Sequence, residues 1–125
     1  MNSQILAQRA YSQPSAPIRT PRGVEYEAFA RITRRLASTA RLGKSGFGAL
    51  ANALHDNRKL WTILATDVAG AENELPQDLR ARIFYLAEFT QAHSRKVLSE
   101  GASVDALIEI NASVMRGLRQ EGQRP

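Results

Sequence analysis

The sequence has 125 residues, which is enough for one domain with a single hydrophobic core. It contains no cysteine, which excludes disulfides, thiolate metal sites and thiol nucleophiles. No apolar run approaches the roughly 18 residues that a membrane span needs. The stretch Met1–Tyr11 lacks the basic and apolar regions of a secretory signal, so we expect a cytoplasmic protein.

The net charge of +5 is unevenly distributed along the chain. Residues 1–70 hold ten Lys or Arg and four Asp or Glu, whereas residues 71–125 hold seven and eight. A basic first half can face an acidic partner, which is either a nucleic acid or an acidic protein surface. An ordinary solvated surface is the alternative, because fourteen of the seventeen basic residues are Arg, a bias that GC-rich coding alone can produce.

An arm over residues 1–20 is the first predicted element, with a short helical stretch followed by a linker that contains two prolines. Thr20-Pro21 is a good helix start, because Thr can cap free backbone N–H groups and Pro loses no bond at the first helical position. Apolar residues then recur at steps of three and four on a helix that runs to about Leu42, where Gly43 can end it. Its inner face comprises Tyr26, Phe29, Ile32, Leu36 and Ala40.

The second predicted helix is capped by Ser45 and reaches Gly70, over roughly 24 residues or about 36 Å. Its inner face comprises Leu50, Leu54, Asn57, Trp61, Leu64 and Val68. Asn57 is unusual on an apolar face, because a buried amide must be hydrogen-bonded. When two such amides pair, they fix the register between helices, and a role in partner binding is the alternative.

Two further helices are predicted in the second half of the chain. The third follows a turn around Pro76 and ends near Gly101, and the fourth opens at Ser103. The inner face of the third comprises Leu79, Ile83, Leu86, Thr90, His93 and Val97. The inner face of the fourth comprises Val104, Leu107, Ile108, Asn111, Val114, Met115 and Leu118, so a second asparagine joins Asn57 as a polar core position.

The predicted fold class is all-α, because no segment alternates with a period of two over a useful length. Four amphipathic helices joined by short loops pack most economically as an antiparallel bundle. We therefore predict an N-terminal arm with a short helix and linker over residues 1–20 and a helical bundle domain over residues 21–125.

The sequence offers no catalytic, cofactor-binding or metal-binding constellation. His55 and His93 fall on different helices, and neither has the Glu three residues earlier that a metal site in a helical bundle requires. The glycines of LGKSGFG (Leu42–Gly48) lack the order of a phosphate-binding loop. We expect a protein that is not an enzyme, takes no cofactor or small-molecule substrate, and acts by binding another macromolecule.

Nucleic acid is one candidate partner. Arg31, Arg34, Arg35 and Arg41 form a basic side on the first predicted helix, and such a helix can lie along phosphates. No helix-turn-helix signature or platform of clustered aromatics accompanies these residues. A charged surface of this kind is also common on helical bundles.

Three stretches carry a resemblance to a known family: PRGVEYEAFARITRRL (Pro21–Leu36), NRKLWTILATDVAGAENELPQDLRARI (Asn57–Ile83) and LIEINASVMRGL (Leu107–Leu118). Together they resemble the flagellar biosynthesis regulators of the FlaF family of alphaproteobacteria, over nearly the whole chain after the arm. The second stretch is the most specific. Its Arg-x-Leu-Trp, the Asp six residues after that Trp, and Asn-x-Leu-Pro followed by Leu-Arg-Ala fall at the family's spacing.

The resemblance implies a cytoplasmic factor that promotes flagellin production and export, working with a second regulator, FlbT, that restrains flagellin translation. It also implies that flagellin itself is bound, much as an export chaperone binds its cargo. This is physically reasonable, because an apolar groove on a bundle can cover an amphipathic helix such as those at the ends of flagellin. An RNA-binding regulator of the flagellin message is the alternative.

The resemblance also carries over a set of family-motif residues as possible partner-binding positions: Tyr26, Phe29, Trp61, Asp67, Asn73, Leu75, Pro76, Arg80 and Asn111. A scaffold role is the alternative for most of them, with Trp61 in the core and Asn73–Pro76 shaping a loop. We expect an ion pair between Asp67 and Arg80 to bracket this loop, worth about 0–1 kcal/mol as a surface pair.

Overall fold

The computed structural model of the chain describes residues 21–122, with side chains described for residues 26–117. Within this range the chain forms four α-helices and a 3₁₀ turn, without any strand. The helices are α1 (Pro21–Ala40), α2 (Phe47–Ala69), α3 (Gln77–Glu100) and α4 (Asp105–Gly122). The prediction of an all-α fold with four main helices is confirmed. The predicted arm over residues 1–20 lies outside the described residues, and the division into arm and bundle domain stays a prediction.

The second helix is the central packing element. Helix α2 packs against both α1 and α3, and α1 also packs against α4, whereas α3 and α4 touch over a much smaller region. Along α1, Phe29 contacts Trp61 and Arg35 contacts Asp56, so the partner numbers fall along α2 as they rise along α1. The antiparallel course of the complete bundle stays a prediction.

The hydrophobic core is built from the inner faces that the sequence predicts. Phe29, Leu36, Leu54, Trp61 and Leu107 are fully buried or nearly so. Removing each such side chain from water stabilises the fold by about 1.5–3 kcal/mol. The buried face of α2 is wider than predicted, because Ala53 and Leu60 are buried beside the predicted stripe. Among the side chains that the structure describes, four polar ones are also fully buried: Asn57, Thr90, Ser94 and Asn111.

The connection between α1 and α2 differs from the prediction. Helix α1 ends at Ala40, before Leu42, and the predicted cap Ser45 is wrong, because α2 begins only at Phe47. Ser45 lies inside the 3₁₀ turn Gly43–Gly46, where its hydroxyl donates to the Leu42 carbonyl oxygen at 2.9 Å. Gly46 therefore stands at the N-cap position of α2, where no side chain caps the helix, and the turn leads directly into α2.

The connection between α3 and α4 follows the predicted signals. Gly101 has a φ of 71°, a left-handed conformation that glycine adopts without strain, and α3 ends immediately before it. The Ala102 N–H donates to the Lys96 carbonyl oxygen at 3.2 Å, which closes the end of the helix. Ser103 Oγ accepts the Asp105 N–H at 3.0 Å, so the predicted opening residue of α4 does satisfy a free backbone donor.

Gly46 provides a test of the tight packing at the start of α2. A Cβ at this buried position would stand 2.5 Å from the Leu42 Cβ and 3.1 Å from the Thr39 carbonyl oxygen. We therefore expect Gly46→Ala to lower the free energy of unfolding by about 1–3 kcal/mol, measured by urea denaturation. Gly48→Ala is the matched control, because its Cβ would meet nothing within 4 Å and alanine favours the helix. Equal stability of the two variants would contradict the packing described here.

Candidate functional site

Three of the predicted motif residues meet in the core. Phe29 and Trp61 are both fully buried, and their rings pack edge to face with centroids 5.4 Å apart and planes at 76°. The Trp61 indole Nε1–H donates to Asn111 Oδ1 at 2.9 Å. This buried bond satisfies the polar end of the tryptophan and joins α2 to α4.

Asn111 completes its hydrogen bonds with two further residues. Its Nδ2 donates to Asn57 Oδ1 at 2.9 Å and to Thr33 Oγ1 at 3.0 Å. The side chain therefore uses its carbonyl and both amide hydrogens, on partners from α1 and α2. This pairing supports the register role predicted for Asn57 and Asn111, since a shift of α4 along its neighbours would break all three bonds at once.

A second group of motif residues forms the connection between α2 and α3. Asn73 is its centre: Nδ2 donates to Asp67 Oδ2 at 3.0 Å, and Oδ1 accepts the Leu75 N–H at 2.9 Å. Leu75 is buried against the core, and Pro76 holds extended backbone immediately before α3. These contacts shape a loop, as the scaffold interpretation of Asn73–Pro76 predicts.

Arg80 closes this connection from the side of α3. Its Nη1 lies 3.5 Å from the Val68 carbonyl oxygen and 3.4 Å from that of Gly70, at the end of α2. A cation at the carboxyl end of a helix is favourable, because the last carbonyls have no partner within the helix and carry partial negative charge. The predicted ion pair between Asp67 and Arg80 stays a prediction.

The remaining motif residue, Tyr26, is half-buried near the start of α1. The motif set therefore divides between the buried cluster and the loop, and its members are not gathered on one exposed surface. Whether any of them contacts a partner stays a prediction. Of the predicted basic side, Arg31 and Arg34 on α1 are exposed, and Arg41 is exposed just after the helix ends. Arg35 Nη1 instead pairs with Asp56 Oδ2 at 2.7 Å.

The structure reveals a groove that the sequence did not predict, along the outer seam between α2 and α3. Two adjoining cavities of about 540 and 480 Å³ form this groove and share Thr62 and Gln91. The first is lined by His55, Arg58, Lys59, Thr62, Ile63 and Gln91. The second is lined by Thr62, Ala65, Thr66, Ala69, Phe84, Ala87, Glu88 and Gln91. We call the whole feature the α2–α3 groove.

The α2–α3 groove exists because small side chains line the seam between larger ones. Ala65, Ala69 and Ala87 leave space, while Ile63 and Phe84 project with 57% and 44% of their surface exposed. On the outer side of α3, Tyr85 is also exposed, and the Phe89 ring stacks on His93 with centroids 5.3 Å apart. Exposed large apolar side chains that line one groove, as Ile63 and Phe84 do, are typical of a surface that binds another molecule.

The sequence does carry a signal for this groove. Ile63, Phe84 and Tyr85 are large apolar residues that lie off the predicted inner faces of their helices. Single residues of this kind are common on protein surfaces, so the signal becomes specific only when two helices are placed side by side.

These features define a small all-helical protein. Its core contains a network of buried side-chain hydrogen bonds, and its surface carries an open groove with apolar walls. The sequence model of the family described as flagellar protein FlaF matches residues 7–118. The chain therefore belongs to the FlaF family, and the resemblance drawn from its motifs is confirmed. No curated protein and no solved structure shows significant similarity to the chain.

Two further findings concern the described part of the chain. None of its helices combines the length and the apolar character that crossing a membrane requires. Within the same residues, no three His, Asp or Glu side chains are grouped so that they could hold a metal ion.

Asn111 is the residue whose loss should disturb the buried cluster most. Asn111→Ala removes the partners of the Trp61 indole N–H and of Asn57 Oδ1 and leaves a cavity. We expect the free energy of unfolding to fall by about 2–4 kcal/mol in urea denaturation. Asn52→Ala, at an exposed position of α2, is the control and should change stability by no more than about 0.5 kcal/mol. A similar loss in both variants would argue against the amide network.

Asn73 allows a separate test of the loop. Asn73→Ala removes the bonds to Asp67 and to the Leu75 N–H, so we expect a loss of about 1–2 kcal/mol in the free energy of unfolding. Glu74→Ala changes an exposed neighbour in the same loop and should have little effect. Thermal melts of the two variants, recorded side by side by circular dichroism, compare them directly. Indistinguishable melts would mean that Asn73 does not organise the connection.

Proposed function

We propose that this protein is a cytoplasmic regulator of flagellar biosynthesis that promotes flagellin synthesis and export. In this proposal it binds flagellin as a chaperone-like factor and acts together with FlbT. The observation that carries the proposal is membership of the FlaF family over residues 7–118. We also propose that the protein acts by binding, without catalysis or a cofactor.

The physical basis of the proposal is the match between an amphipathic helix and an apolar groove. A helix buries anchors at positions i, i+3, i+4 and i+7 when it lies in such a groove, and so its apolar face is removed from water. The α2–α3 groove offers exposed apolar walls at Ile63 and Phe84. We further propose that the four helices form an antiparallel bundle, in which this seam is a rigid outer surface.

An RNA-binding regulator of the flagellin message is the second candidate. It is favoured by the exposed Arg31 and Arg34 on α1 and by the exposed Arg41 immediately after that helix. Binding through phosphates predicts steep salt dependence, with a slope of roughly 0.7–0.9 for each phosphate contact. Weak binding that is indifferent to RNA sequence would count against this candidate.

The direct test is to mix the full chain with its cognate flagellin and measure the mass of the product by size-exclusion chromatography with light scattering. We expect a discrete complex that persists at high salt, because apolar burial is not screened by ions. The control is each protein alone under the same conditions. If both proteins are folded and no complex forms at either salt concentration, flagellin is not the direct ligand, and FlbT and RNA become the partners to test.

A further inference from the structure

We infer that the α2–α3 groove is the docking surface for a single amphipathic helix of the partner. That helix presents apolar side chains to Ile63 and Phe84 and carboxylates to Arg58 and Lys59. The inference rests on the proposed function, because it takes the partner to be flagellin, and it adds the surface and the chemistry of recognition.

The dimensions of the groove fit one helix. Its lining on α2 extends from His55 to Ala69, which corresponds to about 21 Å, or about four helical turns. Four turns hold two repeats of an i, i+3, i+4, i+7 pattern, which is the usual length of a helical recognition segment.

The end of the groove near Phe84 is apolar. Ala65, Ala69 and Ala87 allow a second backbone to approach closely, and Phe84 projects beside them with 44% of its surface exposed. Ile63, at 57% exposure, continues the apolar wall toward the middle of the groove. An apolar side chain placed between these walls would be removed from water on both sides, so this end supplies the anchors.

The opposite end of the groove is basic. His55, Arg58 and Lys59 line it, and the residues that line this end include no Asp or Glu. Arg58 is held in place, because its Nε donates to Gln91 Oε1 at 2.8 Å, and that contact is to a neutral amide. Positive charge without a carboxylate beside it favours a partner that brings its own negative charge.

Glu88 gives the partner helix a direction. It is the one carboxylate among the residues that line the groove, and it lies on α3 between Phe84 and Gln91, on the side of Gln91 away from Arg58 and Lys59 in the chain order of the lining. Acidic side chains of the partner are repelled there and attracted to Lys59, so the acidic end of the docked helix lies toward His55. A phosphate backbone, which carries negative charge along its whole length, fits this division poorly.

The experiment compares matched surface variants of the full chain for binding to cognate flagellin by isothermal titration calorimetry. Phe84→Ser removes an anchor in the groove, and Phe47→Ser removes a similarly exposed phenylalanine, at 50%, at the start of α2. Lys59→Glu reverses charge at the basic end, and Lys44→Glu reverses an exposed lysine in the 3₁₀ turn. Circular dichroism melts verify that all four variants fold.

We expect Phe84→Ser to weaken binding by about tenfold or more, and Lys59→Glu by about threefold to tenfold with a smaller salt dependence. Both controls should stay within about twofold of the unaltered chain. If the unaltered chain binds and the groove variants bind equally well, the inference is wrong and the proposed function stands. If the unaltered chain does not bind flagellin, the proposed function fails and the inference fails with it.

A parallel titration with RNA tests whether the basic end of the groove binds nucleic acid instead of flagellin. The same variants are titrated with single-stranded RNA from the flagellin message. Loss of RNA binding in Lys59→Glu, with flagellin binding retained, would assign the basic end to phosphate and overturn the docking inference. Retained RNA binding, or none in any variant, together with weakened flagellin binding supports it.

Discussion

The arrangement of the helices depends on one buried hydrogen bond, from the Trp61 indole to the Asn111 side chain. An indole N–H removed from water without a partner would cost about 1–3 kcal/mol, so Asn111 must lie where it can accept this bond. Its own amide hydrogens then require Asn57 and Thr33. Apolar contacts allow one helix to slide along another, whereas the hydrogen bonds of the Asn111 amide would break if it moved. The network therefore fixes α1, α2 and α4 relative to each other.

Helix α2 connects this buried hydrogen-bond network to the α2–α3 groove on the surface. The helix that carries Trp61 and Asn57 on its inner side carries Lys59 and Ile63 on its outer side, beside α3. Gln91 on α3 donates to the Arg58 carbonyl oxygen and to Thr62 Oγ1, which holds the two walls together at mid-length. The buried motif residues Trp61 and Asn111 fix the helices that form the groove. None of the nine residues carried over from the family lines the groove itself, although Arg58 of the Arg-x-Leu-Trp motif does.

Much of the fold could be predicted from the sequence, because apolar periodicity records which side of a helix is buried. The stripes on α1 and α2 and the polar positions Asn57 and Asn111 were of this kind. The ends of helices are harder to predict than their buried faces, as Ser45 shows. A serine before an apolar run is an equally good signal for a helix cap and for a turn that ends before the helix. The groove could not be predicted, because Ile63 and Phe84 become neighbours only through the packing of two helices.

The contact between Thr33 and Asn111 joins residues 78 positions apart, and it brings the first described helix against the last. Closing so long a loop costs only slightly more entropy than closing a short one, but it cannot happen before both ends exist. During synthesis, α1, α2 and α3 leave the ribosome with the Trp61 indole and Asn57 still lacking their partner on α4. The native core is therefore completed only after α4 has been synthesised, and a chain that stops short of Asn111 lacks the acceptor of the Trp61 indole N–H and the donor to Asn57 Oδ1.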